Sequence, residues 1–390
     1  MFTLIISGVS CLLVLWSAWG LKRWIPEWWG QKSLRVAAWS WIAMTLLADA
    51  LYLGGIEIGS FEVYQLGKLL WAISIIVSAP MAAALTLSFM MMARKQPSLD
   101  TDKTDHDHEA TRRSFLRLAL VPPLLAGTGS LAGLIQAQAS PVINRIALHF
   151  PGLPEDLDGL SILHITDAHL GPFIEIDSIE DTIEALEGAK VDLVAITGDF
   201  ADHLRMMKPA IERLETLKPT HGIFFAMGNH EYYHPEGKVA EQLEALSIQP
   251  LISSGVPIKV GDTILFVAGA DDPARTEAEK EPFLRTSIEQ ALSGRPNAAF
   301  TLLLSHRPAG FDIAQEMGVE LTLAGDTHGY QLGIGGQSAL HPLFGEEYPR
   351  GHYTRGTSHL YTSTGLGHWF PYRLGCDREA ALLTLRRGKA

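Results

Sequence analysis

Five apolar runs in the second half of this chain each end in a small cluster of Asp, His or Asn, and that repetition limits the fold more than any other feature. The runs are residues 160–165, 191–197, 222–227, 299–304 and 320–324. They lead into Asp167-Ala168-His169, Gly198-Asp199-Phe200-Ala201-Asp202, Gly228-Asn229-His230-Glu231, Ser305-His306-Arg307 and Gly325-Asp326-Thr327-His328. Short apolar runs bounded by turn residues predict buried strands. Between them, residues 176–188, 206–217, 239–246 and 286–292 carry apolar side chains at helical spacing, while 258–270 and 359–385 are richer in strand formers. Strands alternating with helices, plus strand-rich additions, predict a layered α/β domain over 144–390, two packed sheets flanked by helices. Polar side chains gathered at several strand ends are how such a fold builds a site from loops on a rigid sheet.

The residue types suit a pair of divalent ions. Two cations about 3.5–4 Å apart need hard oxygen donors, some imidazole and one shared carboxylate. Asp167 and His169, two apart, turn towards one ion where the strand has ended. Asp199 follows Gly198, which lets the backbone approach closely, and is the candidate bridge. Asn229 offers an amide oxygen, and His306 and His328 add nitrogens. Any one of these alone is an ordinary turn or core residue. Five such loops after five buried strands reverse that expectation.

Asp167-x-His169, Gly198-Asp199-x-x-Asp202, Gly228-Asn229-His230-Glu231, His306 and Gly325-Asp326-x-His328 resemble the motif series of the calcineurin-like metallophosphoesterase family, over about residues 160–375. Gly329-Tyr330-Gln331, residues 361–367 and Arg373-Leu374-Gly375-Cys376 resemble its membrane-associated bacterial branch. The resemblance implies a first ion held by Asp167, His169, Asp199 and His328, and a second by Asp199, Asn229, His306 and the residue at 326. It also implies metal-dependent hydrolysis of phosphodiester or pyrophosphate bonds by a hydroxide between the ions. His230 would stabilise the transition state or protonate the leaving oxygen, with Asp202 orienting it. The family usually has His where this chain has Asp326. An oxygen donor there favours hard ions, so of Mn, Mg, Fe and Zn, Mn²⁺ is expected first. Arg307 is a candidate contact for a substrate phosphate, with an ion pair as its alternative.

The first third is of another kind. Residues 1–20 and 69–93 carry no charge, and 36–56 carry only Asp49. About 20 apolar residues cross a bilayer core, so an α-helical transmembrane region of three helices is expected over 1–93. A polar cytoplasmic linker comes next, over 94–117, where Thr111-Arg112-Arg113-Ser114-Phe115-Leu116-Arg117 resembles a twin-arginine export signal. Residues 118–143 form a candidate fourth span or signal segment, with Ala137-Gln138-Ala139 as a cleavage-site pattern. The placing of Lys and Arg puts the large domain on the outer, periplasmic face of a bacterial cytoplasmic membrane. A site held near a bilayer suggests envelope lipids or wall precursors as substrates. Two alternatives stand beside this. If 118–143 does not cross, the site faces the cytoplasm and acts on a nucleotide-linked lipid precursor. If Asp326 marks a degenerate site, the protein is a non-catalytic membrane sensor. A net charge of −12 offers no basic face for nucleic acid, and two cysteines make no disulfide framework.

Overall fold

The computed structural model describes residues 128–389 apart from 236, 275–279, 340 and 342–346, together with 32–57 and scattered positions between 11 and 76. The chain divides into two compact units, Met1–Ile135 and Gln136–Ala390. In the first, the longest described element is the helix α1 (Lys32–Glu57). No described helix is long and apolar enough to cross a membrane, which overturns the expected transmembrane region. The apolar run in α1 is broken by Asp49, which is buried together with Thr45. Thr45 Oγ1 donates to Trp41 O at 3.0 Å and meets Ser74 Oγ. The linker 94–117, with its Arg112-Arg113 pair, lies outside the described residues, as do 118–127 and most of 1–20 and 69–93.

The second unit is built on two six-stranded sheets. Sheet one runs β1 (Val142–Phe150), β14 (Glu379–Arg387), β2 (Ser161–Ile165), β3 (Leu193–Thr197), β4 (Ile223–Ala226) and β5 (Gln249–Pro250). Sheet two runs β12 (Gly351–Arg355), β13 (Ser358–Thr362), β9 (Leu321–Ala324), β8 (Phe300–Leu304), β7 (Thr263–Gly269) and β6 (Ser254–Val260). A short hairpin, β10 (Gly333–Ile334) and β11 (Gln337–Ser338), stands apart. All five expected strands are present, as β2, β3, β4, β8 and β9.

Their apolar runs are continuous, without alternation, because both faces of each sheet are covered. Between the sheets, Ile162, Leu193 and Phe224 pack on Leu265, Leu302 and Leu321. The outer face of sheet one, with Leu163, Val194 and Ile196, is covered by α2 (Asp177–Ala185), α3 (Leu204–Glu215) and α4 (Lys238–Glu244). On the outer face of sheet two, Phe266 and Leu303 meet α5 (Lys280–Ala291) and α6 (Gly310–Glu316). The domain therefore has the layered α/β architecture expected for it.

β2, β3 and β4 are mutually parallel, as are β8 and β9. Parallel neighbours need a crossover that returns the chain to the same edge, here a helix each time. All five strands accordingly deliver the loops at their C-terminal ends to one rim. Residues around the expected cleavage site are tied into this unit. Gln136 Nε2 donates to Asp377 Oδ1 at 2.6 Å, and Ala139 O accepts from Arg378 Nη1 at 3.0 Å.

Candidate metal centre

Each strand ends two or three residues before its ligand, and after β2, β3 and β9 the chain turns through backbone conformations that side chains rarely adopt. Asp167, His169, Asp199, Asp326 and His328 all have φ between 46° and 65°. Strain of this kind costs on the order of 1–3 kcal/mol per residue and persists where the surroundings over-determine it. Tight packing is part of that determination. A Cβ on Gly228 would collide with the Asp199 carboxylate, and one on Gly325 with that of Asp167.

Two sets of donors meet at this rim. In the first, His328 Nε2 lies 3.2 Å from Asp167 Oδ1 and 3.1 Å from His169 Nε2. His169 Nδ1 donates to Asp202 Oδ1 at 3.0 Å, so its Nε2 lone pair faces the cluster. In the second, His306 Nε2 lies 3.3 Å from Asn229 Oδ1, 3.4 Å from Asp199 Oδ2 and 3.6 Å from Asp326 Oδ1. His306 Nδ1 donates to Thr197 O at 2.7 Å, which likewise turns its Nε2 inward. Asp199 Oδ2 is also 3.7 Å from His169 Nε2, so one oxygen stands between the sets.

These separations fit cations. Donors that bind one divalent ion at about 2.1 Å stand roughly 3–4 Å from each other. Imidazole nitrogens 3.1 Å apart repel unless a proton or a cation lies between them. Asp167, His169 and His328 form one group able to hold an ion, and Asp167, Asp199 and His306 another. Electrostatics agree. Burial pushes the Asp199 carboxyl up, but His306, His230 and His169 together hold it well below the usual carboxylate range. Asp326 is likewise drawn down against its burial, chiefly by Arg307 and His306.

The expected catalytic pair is in contact. His230 Nδ1 donates to Asp202 Oδ1 at 2.8 Å, and its Nε2 lies 3.9 Å from Asp199 Oδ2. The same Asp202 oxygen therefore orients both His230 and the ligand His169. Arg307 is held between two carboxylates. Its Nε donates to Asp272 Oδ2 at 2.7 Å, and its Nη1 to both oxygens of Asp326 at 2.8 Å. In the segment 340–359, residues 340 and 342–346 lie outside the described residues. Its His352 meets His359, Nε2 to Nδ1, at 2.9 Å.

Two residues important here escaped the sequence. Glu231 is buried and accepts from three backbone N–H groups, those of Asp199 and Gly228 at 2.8 Å and of Phe200 at 2.9 Å. It thus ties the loop of the shared Asp199 to the loop of Asn229. Its place in Gly-Asn-His-Glu was the available signal. Arg373 is fully buried, with Nη2 at 3.1 Å from His328 Nδ1 and 2.7 Å from Thr364 O, and Nη1 at 2.9 Å from Asp377 O. Its place in Arg373-Leu374-Gly375-Cys376 was the available signal, but no spacing ties that motif to His328.

The family model for calcineurin-like phosphoesterase matches residues 160–330, which include every donor above. An uncharacterized metallophosphoesterase of Helicobacter pylori is 28% identical over 296 residues, 74% of this chain and 75% of its own. A Danio rerio transmembrane protein with metallophosphoesterase domain is 27% identical over 290 residues, 72% of this chain and 65% of its own. Among solved structures, a dimetal phosphatase from Danio rerio is similar with a TM-score of 0.32 and 13% identity, covering 55% of this chain and 89% of the other.

Proposed function

Since the chain belongs, through residues 160–330, to the calcineurin-like phosphoesterase family and is a metal-dependent phosphoesterase, we propose that it hydrolyses phosphodiester or pyrophosphate bonds with two divalent ions, Mn²⁺ foremost. The observation that carries this is Asp199 Oδ2, 3.7 Å from His169 Nε2 and 3.4 Å from His306 Nε2. A carboxylate oxygen common to two donor sets is what a pair of ions requires. Asp167, His169, His328 and Asp199 would hold the first ion, and Asp199, Asn229, His306 and Asp326 the second. When bound, the ions supply charge for the phosphoryl oxygens and acidify the attacking water.

The protein's own groups do the rest. Asp202 fixes the tautomer of His230, whose Nδ1 hydrogen points at the carboxylate and whose Nε2 faces the cluster. A proton on that Nε2 is in place for the leaving oxygen. The oxygen of Asp326 makes the second donor set harder than an imidazole would, which supports Mn²⁺ or Mg²⁺ over Zn²⁺. The expectation of an envelope-lipid substrate rested on a transmembrane anchor; with no such helix among the described residues, the substrate class rests on the site alone.

The test is hydrolysis of bis-p-nitrophenyl phosphate by metal-stripped protein titrated with Mn²⁺, Mg²⁺ or Zn²⁺, beside Asp199→Asn. Metal-dependent turnover that falls at least a hundredfold in the variant is expected. Equal turnover in both proteins, or none with any metal in a folded protein, would overturn it.

A further inference from the structure

The other donors are almost wholly buried, and among the described residues the site opens where His230 and the donor Asp326 stand, their side chains 16% and 20% exposed. Tyr233 stands at this opening. It is 59% exposed, with its ring centroid 4.8 Å from that of His230 and tilted by 50°. Its hydroxyl oxygen accepts from Asn229 Nδ2 at 3.2 Å, so the ring is fixed to a ligand as well as to the proton donor.

The turn that presents this ring is anchored firmly. Glu231, at its start, is pinned by three backbone N–H groups. Tyr232, beside it, is bonded through its hydroxyl to Asp271 Oδ1. Tyr233 N donates to His230 O at 3.1 Å, closing the turn. Neighbouring tyrosines thus have different uses: one is spent on the fold, while the other is left largely exposed beside His230 and Asn229. A single exposed aromatic needs no explanation by itself. One locked against the proton donor has a position that matters, because whatever leaves with the proton from His230 must pass beside it.

We propose that Tyr233 is a specificity-determining residue, a platform on which a planar aromatic leaving group of the phosphodiester stacks as its oxygen takes the His230 proton. This rests on the hydrolase function proposed above. Phosphodiesters with aryl or nucleobase-bearing leaving groups are thereby preferred to those with alkyl ones. Ring stacking of this kind changes binding by roughly five- to a hundredfold per ring.

The test compares two substrates in wild type, Tyr233→Ala and Tyr233→Phe, each loaded with Mn²⁺. One substrate is bis-p-nitrophenyl phosphate, the other bis(2,2,2-trifluoroethyl) phosphate followed by fluorine NMR. The readout is the ratio of kcat/KM, aryl over alkyl, so that general damage to the site cancels. Tyr233→Ala should lower that ratio about tenfold, and Tyr233→Phe should keep it within about threefold. An unchanged ratio in Tyr233→Ala, or an equal fall in Tyr233→Phe, overturns the platform while leaving the hydrolase function intact. A wild type inactive on both substrates overturns the two together.

Discussion

Glu231→Gln removes the charge that joins two ligand loops while keeping the shape of the side chain, and its cost can be worked out from the contacts. One carboxylate oxygen accepts from Asp199 N and Gly228 N, the other from Phe200 N. An amide has one accepting oxygen. In its better orientation, that oxygen faces Asp199 N and Gly228 N, and the NH₂ group is left opposed to Phe200 N–H. A buried donor without a partner costs about 1–3 kcal/mol, and two charge-assisted bonds that become neutral lose about 1 kcal/mol each. The sum is about 3–5 kcal/mol. Burial, with help from Asp199, pushes the Glu231 carboxyl up to about 7. Holding it ionised at about pH 8 costs the fold about 1.4 kcal/mol for each pH unit above its ordinary 4.5, about 3 kcal/mol that the amide does not bear. The net loss at that pH is therefore about 0–2 kcal/mol. Urea unfolding of metal-free wild type and variant would measure the difference directly. Metal uptake should fall as well, because the loops of Asp199 and Asn229 lose their common anchor. A variant that takes up metal as tightly as wild type would refute the claim that this carboxylate holds the loops together.

Asp202→Asn should lower kcat about 10–100-fold and weaken metal binding together, since one oxygen serves both His230 and His169. Steady-state kinetics beside metal titration calorimetry would check this, and an effect on kcat alone would limit Asp202 to His230. His164 is fully buried between the sheets, and burial pulls its ring down to about 3. The unfolded ring, near 6.5, takes up a proton that the folded one refuses. The stability His164 supports is therefore complete above about pH 6.5 and falls below it by about 1.4 kcal/mol per pH unit. His164→Gln should flatten that slope in urea unfolding between about pH 7.5 and 5, and parallel curves for the two proteins would count against it.

The ligand-bearing half of the fold was legible because two independent signals coincide there. Strands buried on both faces leave unbroken apolar runs, and metal chemistry admits few side chains at their ends. Hence β2, β3, β4, β8 and β9, and the gathering of Asp, His and Asn at their ends, were readable. The bounds of β1 were not, since its half-exposed edge pattern resembles that of many loops, and β14 was read only as part of the strand-rich stretch 359–385. The partnership of Arg307 with Asp272 and Asp326 joins residues from three separate loops, and no spacing announces it. The second contact of Asp202 and the burial of Arg373 were hidden for the same reason. The transmembrane expectation failed on different ground. In α1, Val36, Trp39, Leu46 and Leu47 stay exposed while Thr45 and Asp49 are buried, so counting apolar residues along a sequence does not say what a helix does with them.

The place of β14 in sheet one governs the order in which this domain can assemble. Ala381 is paired with Asn144 of β1 on one side and with His164 of β2 on the other. Until residues 379–387 arrive, β1 has no partner in its sheet, and β2, which carries Asp167 and His169 at its end, shows an open edge. Glu379 then adds bonds to Thr364 N and Tyr361 Oη, clasping the loop beside the first donor set. Contacts between such distant parts of a chain form slowly, in milliseconds to seconds, and unpaired edges invite association meanwhile. A nascent chain stalled before residue 379 would thus hold every metal donor in its sequence and still have no centre, only an adhesive half-sheet for chaperones to shield.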